Sequence, residues 1–165
     1  MQSLWRTRAL ALAVIVVAYS VHGLGAQAGD PLIGTWQLNR EASTFTPGAA
    51  PQRLTRTFEE RDDGAIVATT KGVDATSRPV EVRVAFRRDG QPYPIESAGT
   101  TSDRTITFEL LSRDPFTVEY RTMGGVASTV GTETVSPDGM TYTVQIVGTN
   151  RDGARVDIVQ VWEKR

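Results

Sequence analysis

The chain has 165 residues, no cysteine, a single histidine and a formal net charge of −1. That charge balance argues against a nucleic-acid or anionic-membrane partner, and without cysteine the stability must come from a packed core rather than from disulfides. With 39% hydrophobic and 22% charged residues, and no low-complexity tract or repeat, the composition is that of an ordinary globular domain.

Residues 1–28 read as an export signal. Arg6 and Arg8 form a positive start, Ala9 to Ala18 is an unbroken apolar run, and Ala26-Gln27-Ala28 supplies a small-x-small cleavage site. The run is shorter than the roughly 20 apolar residues that a spanning helix needs; an uncleaved anchor is the alternative. Cleavage leaves 137 of the 165 residues as one domain, 29–165, with no transmembrane span. Without Arg6 and Arg8 the 18 basic residues fall to 16 against 19 acidic, a net charge of −3. The expected location is periplasmic or secreted, and the expected state is a monomer.

Gly34-Thr35-Trp36-Gln37-Leu38-Asn39 opens the domain as a strand with Trp36 and Leu38 on one face. Glu41 to Phe45 is expected to form at most one helical turn. From residue 53 onward the period is two. Val80, Val82, Val84 and Phe86 alternate with Glu81, Arg83, Ala85 and Arg87, and Ile106, Phe108 and Leu110 alternate with Thr105, Thr107 and Glu109. Phe116, Val118 and Tyr120 alternate with Thr117, Glu119 and Arg121. Met140, Tyr142, Val144 and Ile146 alternate with Thr141, Thr143 and Gln145. One apolar and one polar face describe a half-buried antiparallel sheet.

Turn signals fall at Asp63-Gly64, Asp74 to Arg78, Asp89-Gly90, Thr101 to Asp103, Arg113 to Pro115, Gly124-Gly125, Pro137 to Gly139 and Asp152-Gly153. They recur about every 11 to 14 residues, the rhythm of an up-and-down barrel or a sandwich. Pro92 and Pro94 make the segment around Tyr93 the weakest strand. Even spacing without a long crossover favours the barrel, so the expected fold is an all-β, up-and-down antiparallel β-barrel of about 8 to 10 strands.

Most chemistry is excluded by absence. The only histidine, His22, lies in the signal, so the mature domain has neither His nor Cys. A Cys nucleophile, a Ser-His-Asp triad and nearly all zinc or copper sites are thereby removed. No phosphate-cradling loop or dinucleotide fingerprint occurs, so no cofactor, metal or catalytic residue is assigned. Asp62-Asp63-Gly64 and Asp138-Gly139 lack the distal ligands of a calcium loop and read as hairpin turns. Glu59 to Asp63 reads as a solvated strand end, and Arg87-Arg88 as a turn shoulder.

The candidate ligand contacts are Phe45, Arg56, Phe58, Phe108, Tyr120, Tyr142, Gln160 and Trp162. The aromatics offer apolar walls and the tyrosines add hydroxyls. Arg56 shares the parity of Leu54 and Phe58. It either points inward, where it needs a protein carboxylate or an acidic ligand, or outward after a bulge. Trp36 reads as a core anchor at the closed end, with Lys164 or Arg165 packed over it. Phe45 is expected at the rim and the Pro47 to Pro51 loop across the open end.

Gly34-Thr35-Trp36-x-Leu38-Asn39 with Ser43 and Phe45, and Val159-Gln160-Val161-Trp162-Glu163-Lys164 at the end, resemble the two ends of calycins. Those are the lipocalins and the intracellular fatty-acid-binding proteins. Taken whole, the chain is most similar to bacterial exported lipocalin-like domains of unknown function. The resemblance implies a closed barrel in which the first and last strands pair. It also implies that Gln160 stands where fatty-acid-binding relatives carry the Arg or Gln that meets the ligand head group. A neutral Gln there favours an alcohol, amide or ester over a free carboxylate. The helical lid of those relatives is missing, because Pro47, Gly48 and Pro51 leave no room for two helices.

Three functions stay open on this reading. The first is an exported barrel that binds a small hydrophobic or amphipathic ligand in its interior. The second is a packed barrel serving as an envelope interaction or structural module. The third is a small isomerase or lyase using Tyr, Glu and Arg. The first is preferred and the chain is expected not to be an enzyme; fold alone decides none of the three.

Overall fold

A computed structural model describes residues 29–165; the leader reading of residues 1–28 lies outside them. The described chain is all-β. Ten strands run β1 Gly34–Thr46, β2 Arg53–Glu60, β3 Ile66–Val73, β4 Pro79–Phe86, β5 Tyr93–Ser97, β6 Thr100–Arg113, β7 Phe116–Gly124, β8 Ala127–Val135, β9 Thr141–Thr149 and β10 Arg155–Lys164. Each pairs antiparallel with its neighbour in sequence, and β1 pairs with β10, so the sheet closes into an up-and-down barrel. This is the barrel rather than the sandwich, and its closure is compatible with a calycin-like fold. Among the described residues no helix is long and apolar enough to cross a membrane.

Period-two patterning explains the interior. Leu54 and Phe58 on β2, Val84 and Phe86 on β4, Ile106 and Phe108 on β6, Phe116 and Val118 on β7, and Tyr142 and Val144 on β9 are buried, while their alternates are half-buried or exposed. Antiparallel strands with one solvated face need this alternation, because a one-residue slip would turn every apolar side chain outward.

The closed end is built around Trp36, which is 0% exposed. Its indole N–H donates to the Leu32 carbonyl at 2.7 Å, and its ring meets Tyr142 edge-on with centroids 4.8 Å apart. Lys164 lies 5.0 Å from the ring centroid, the cation packing expected from the sequence. Leu32, 1% exposed, plugs this end from a turn that Asp30 holds by accepting the Leu32 N–H at 3.0 Å.

Four local expectations are corrected. Glu41 to Phe45 forms no helical turn but lies within β1, where the register to β10 shifts between Asn39 and Thr44. Asn39 and Ser43 hold that bulge: Asn39 Oδ1 accepts the Ala42 N–H at 3.0 Å, and Ser43 Oγ donates to the Asn39 carbonyl at 2.6 Å. The turn expected at Thr101 to Asp103 falls earlier, at Ala98-Gly99, so Thr100 already belongs to β6. Gly99 supplies the positive φ, +78°, that the tight turn requires. Met140 precedes β9 and is 53% exposed, outside the inward set.

Arg88 is the fourth, and it is no exposed shoulder. Its guanidinium pairs with Asp30 in a half-buried site and lies 5.1 Å from the Phe116 ring centroid. Arg87, by contrast, pairs at the surface with Asp63 at 3.4 Å. β5 is the shortest strand, and its ladder to β4 holds only the pairs Val82 with Ser97 and Arg83 with Glu96. Pro92 and Pro94 weaken it as expected, since proline cannot donate to a ladder.

Candidate functional site

Above the Trp36 layer the interior is not filled. A cavity of about 330 Å³ is lined by Phe58, Val82, Val84, Ile95, Ile106 and Phe108 as apolar wall, with Arg56, Thr70, Ser97, Ser102, Arg104, Tyr120, Thr122, Glu133 and Arg151 as polar lining. Ser97, Ser102 and Arg104 adjoin the β5–β6 turn and Arg151 sits in the β9–β10 turn, so these residues mark the outer end. Aromatic pairs back the lining: Phe86 stacks at 3.7 Å on Phe108, which lines the cavity, and Tyr142 stacks parallel on Trp162 at 5.7 Å, neither of these two being a lining residue.

Arg56 points inward, and the structure supplies its partners. Its Nε donates to Thr70 Oγ1 at 2.8 Å and its Nη1 to the Tyr142 hydroxyl at 3.1 Å. The guanidinium lies 4.5 Å from the Trp162 ring centroid, and Nη1 stands 3.7 Å from Glu133 Oε1. Burial alone would lower the pKa of Arg56, but Tyr142 and Glu133 outweigh it and hold the value above the ordinary one. A cation shared among a hydroxyl, a phenol, an aromatic face and a carboxylate is satisfied without a ligand. The carboxylate that the sequence left open is Glu133, reached across the barrel from β8.

Glu133 is one of the residues that sequence reasoning missed. It is 3% exposed, and its Oε2 has no hydrogen-bond partner among the described residues. Burial raises its pKa, while Arg56 and Arg88 oppose the shift. An unpartnered buried oxygen costs about 1–3 kcal/mol or more when charged, so it marks a place where a donor is wanted. Tyr120 stands beside it: Tyr120 pairs with Gly131, two residues before Glu133 on β8. Burial first, then the Glu133 charge, pushes the Tyr120 phenol well above its ordinary pKa. Tyr142 is raised likewise, by burial chiefly, with Arg56 opposing. Both phenols are neutral hydroxyls at physiological pH.

Gly131 explains how Tyr120 fits. A Cβ there would stand 2.0 Å from Tyr120 Cζ, so only glycine lets the phenol lie against the strand. Gly124 does the same for Arg104, since a Cβ there would meet Arg104 Cγ at 2.5 Å. Arg104 is half-buried, and its Nε is buried without a partner among the described residues. Burial, then the nearby Arg151, lowers its pKa.

Of the eight sequence candidates, Arg56, Phe58, Phe108 and Tyr120 line the cavity. Tyr142 and Trp162, both 0% exposed, stand behind Arg56 and position it. Gln160 accepts the Trp162 indole N–H at 3.2 Å and is not among the lining residues. Phe45 packs partly buried on β1, opposite Ile158, away from the cavity. Glu133, Thr70 and Arg104 join the site instead. Their signal was parity: Glu133 shares a face with Val135, and Arg104 with Ile106 and Phe108.

The tempting acidic turns have local roles. Asp63 Oδ1 accepts the Ala65 N–H at 3.1 Å, and Asp138 Oδ1 accepts the Met140 N–H at 3.0 Å, both as turn-stabilising contacts. Glu59 to Asp63 is solvent-exposed throughout. Comparison with protein-family models, and with curated proteins, returns no match to this chain.

Proposed function

We propose that this protein is an exported, lipocalin-like barrel that binds a compact amphipathic molecule in its interior, as a carrier or sensor rather than an enzyme. The observation that carries this reading is the cavity. A barrel filled only for stability packs its interior to crystal-like density with few voids. Here about 330 Å³ stays open beside a partnerless buried carboxylate oxygen. That volume sits at the lower end of ligand pockets, roughly 300 to 1,000 Å³, and suits a ring system better than a long acyl tail. Lack of His and Cys after residue 28 supports binding over catalysis. The Arg6, Arg8, apolar-run and Ala26-Gln27-Ala28 pattern supports export.

Titration with N-phenyl-1-naphthylamine, whose fluorescence rises on leaving water, tests the carrier reading. A Kd tighter than about 100 µM, roughly −5.5 kcal/mol, is expected. No binding below that concentration would give the function to the packed-barrel alternative. N-terminal sequencing of the exported pool tests the location: the mature chain should start at Gln27 or Gly29, and a retained Met1 would overturn export.

A further inference from the structure

We propose that the cavity reads both ends of its guest, accepting a hydroxyl or amino donor on Glu133 at depth and an acidic group on Arg104 and Arg151 at the mouth. The inference rests on the ligand-binding reading and names the class of ligand: a compact organic acid with a hydrogen-bond donor opposite its acid.

At depth, the obvious cation is taken. Arg56 is held by Thr70, Tyr142, Trp162 and Glu133, so an acidic group arriving there would compete with Glu133 for it. What is unmet at depth is an acceptor. Oε1 of Glu133 stands 3.7 Å from Arg56 Nη1, Oε2 is buried and without a partner among the described residues, and Glu133 is one of the residues that line the cavity. A ligand O–H or N–H is the complement, and a donor to a buried carboxylate is among the stronger hydrogen bonds.

At the mouth the unmet group has the opposite sense. Arg104 Nε is buried without a partner, and among the described residues no carboxylate lies within ion-pairing distance of Arg104. Its sequence neighbour Asp103 is engaged by Arg151, at a surface pair whose side chains are 60% and 69% exposed. Such a pair is worth little, so Arg151 can turn to an incoming anion at small cost. Two guanidiniums at one mouth repel each other until an anion sits between them. Between the two poles run Phe58, Ile95, Ile106 and Phe108, which ask for a flat apolar body.

The experiment compares 6-hydroxy-2-naphthoic acid with 2-naphthoic acid, which lacks the donor, and 2-naphthol, which lacks the acid. Fluorescence titrations use the mature protein and its Arg104→Gln variant. For the unmodified protein the hydroxy acid should bind at least about tenfold more tightly than either analogue, one factor of ten being 1.4 kcal/mol. Arg104→Gln should weaken both acids about tenfold and leave 2-naphthol unchanged. Added salt should weaken the acids and spare 2-naphthol, because only the mouth is open to screening. If either analogue binds as tightly as the hydroxy acid, the two-ended reading is overturned, even where the carrier reading stands on N-phenyl-1-naphthylamine. A solvent molecule on Glu133 would give that same lack of preference. If neither the naphthalene series nor N-phenyl-1-naphthylamine binds, both readings fall. The analogue series on the unmodified protein decides the question even if Arg104→Gln does not fold.

Discussion

The Val161 N–H donates to the Ser43 hydroxyl at 3.0 Å, joining the last strand to the first across the seam where the barrel closes. The same hydroxyl donates to the Asn39 carbonyl at 2.6 Å. Asn39 in turn donates through Nδ2 to Glu163 Oε1 at 2.7 Å. Register between β1 and β10 shifts between Asn39 and Thr44, so ladder bonds are lost there and one side chain replaces them. The Asn39-x-x-x-Ser43 spacing of the opening motif is therefore a closure device.

Ser43→Ala is expected to strand both the Val161 N–H and the Asn39 carbonyl. The cost should be about 1–3 kcal/mol, read as a lower urea midpoint at unchanged slope. An unfolding free energy within about 0.3 kcal/mol of the parent, small against the ~1 kcal/mol scale of one hydrogen bond, would show that water serves the bulge equally well.

Trp36→Ala tests the closed end. The side chain is fully buried, bonded to Leu32 and packed against Tyr142 and Lys164. Its removal should cost about 3–5 kcal/mol, the usual range for large buried aromatics. N-phenyl-1-naphthylamine affinity, measured where the variant is still folded, should change little, because Trp36 does not line the cavity. Loss of binding without loss of stability would move Trp36 into the site.

How much of this was legible depends on the kind of contact. Alternation over Val80 to Phe86 and Ile106 to Leu110 exposes the barrel because strand pleating is local, and each strand announces its own buried face. The inward choice for Arg56 was half-legible: its parity was plain, but its acceptor, Glu133, lies four strand ladders away around the barrel. A charge on an inner face reads as a slipped register until its partner is known. Arg104 was hidden by the turn read at Thr101 to Asp103, although Ser102-Asp103 is as turn-like as Ala98-Gly99. Only pairing of Ser97 with Thr100 decides between them. Gln160 was carried over from a family pattern, and here its side-chain oxygen is used by Trp162.

The β3–β4 turn gives a pH signature. Asp74 accepts the Arg78 N–H at 3.0 Å, and the Thr76 hydroxyl and N–H at 2.8 Å each. These contacts, the Arg78 backbone bond foremost, lower its pKa from 3.8 to about 2. A depressed carboxylate contributes stability that is fully present above its unfolded value and lost as pH falls through the folded one. The melting-temperature difference between the parent and Asp74→Asn should therefore be flat above pH 3.8 and shrink as pH falls toward about 2. A difference that stays constant down to pH 2 would mean that the amide serves the turn as well as the charge.

Gly131→Ala tests whether Tyr120 is a wall of the cavity. The added Cβ would lie 2.0 Å from Cζ, 2.3 Å from Cε1 and 2.4 Å from the hydroxyl oxygen of Tyr120. Both residues sit in continuous ladders: β7 is paired to β6 and β8, and β8 to β7 and β9. The backbone is thus pinned on each side, and the ring has to yield. Sheet lies beneath it and open cavity above, so it moves inward. Overpacking of this kind costs about 1–3 kcal/mol, yet the sharper effect should be on binding, because the phenol then occupies space meant for the guest. N-phenyl-1-naphthylamine affinity should fall about tenfold or more, equivalent to 1.4 kcal/mol. Gly125→Ala is the control. Its φ of +60° makes alanine cost about 1–2 kcal/mol, but nothing lies within 4 Å of its Cβ position. It should lower stability and leave probe binding alone. Equal probe affinity in Gly131→Ala and the parent would mean that the phenol has somewhere else to go, and that the guest does not rest on Tyr120.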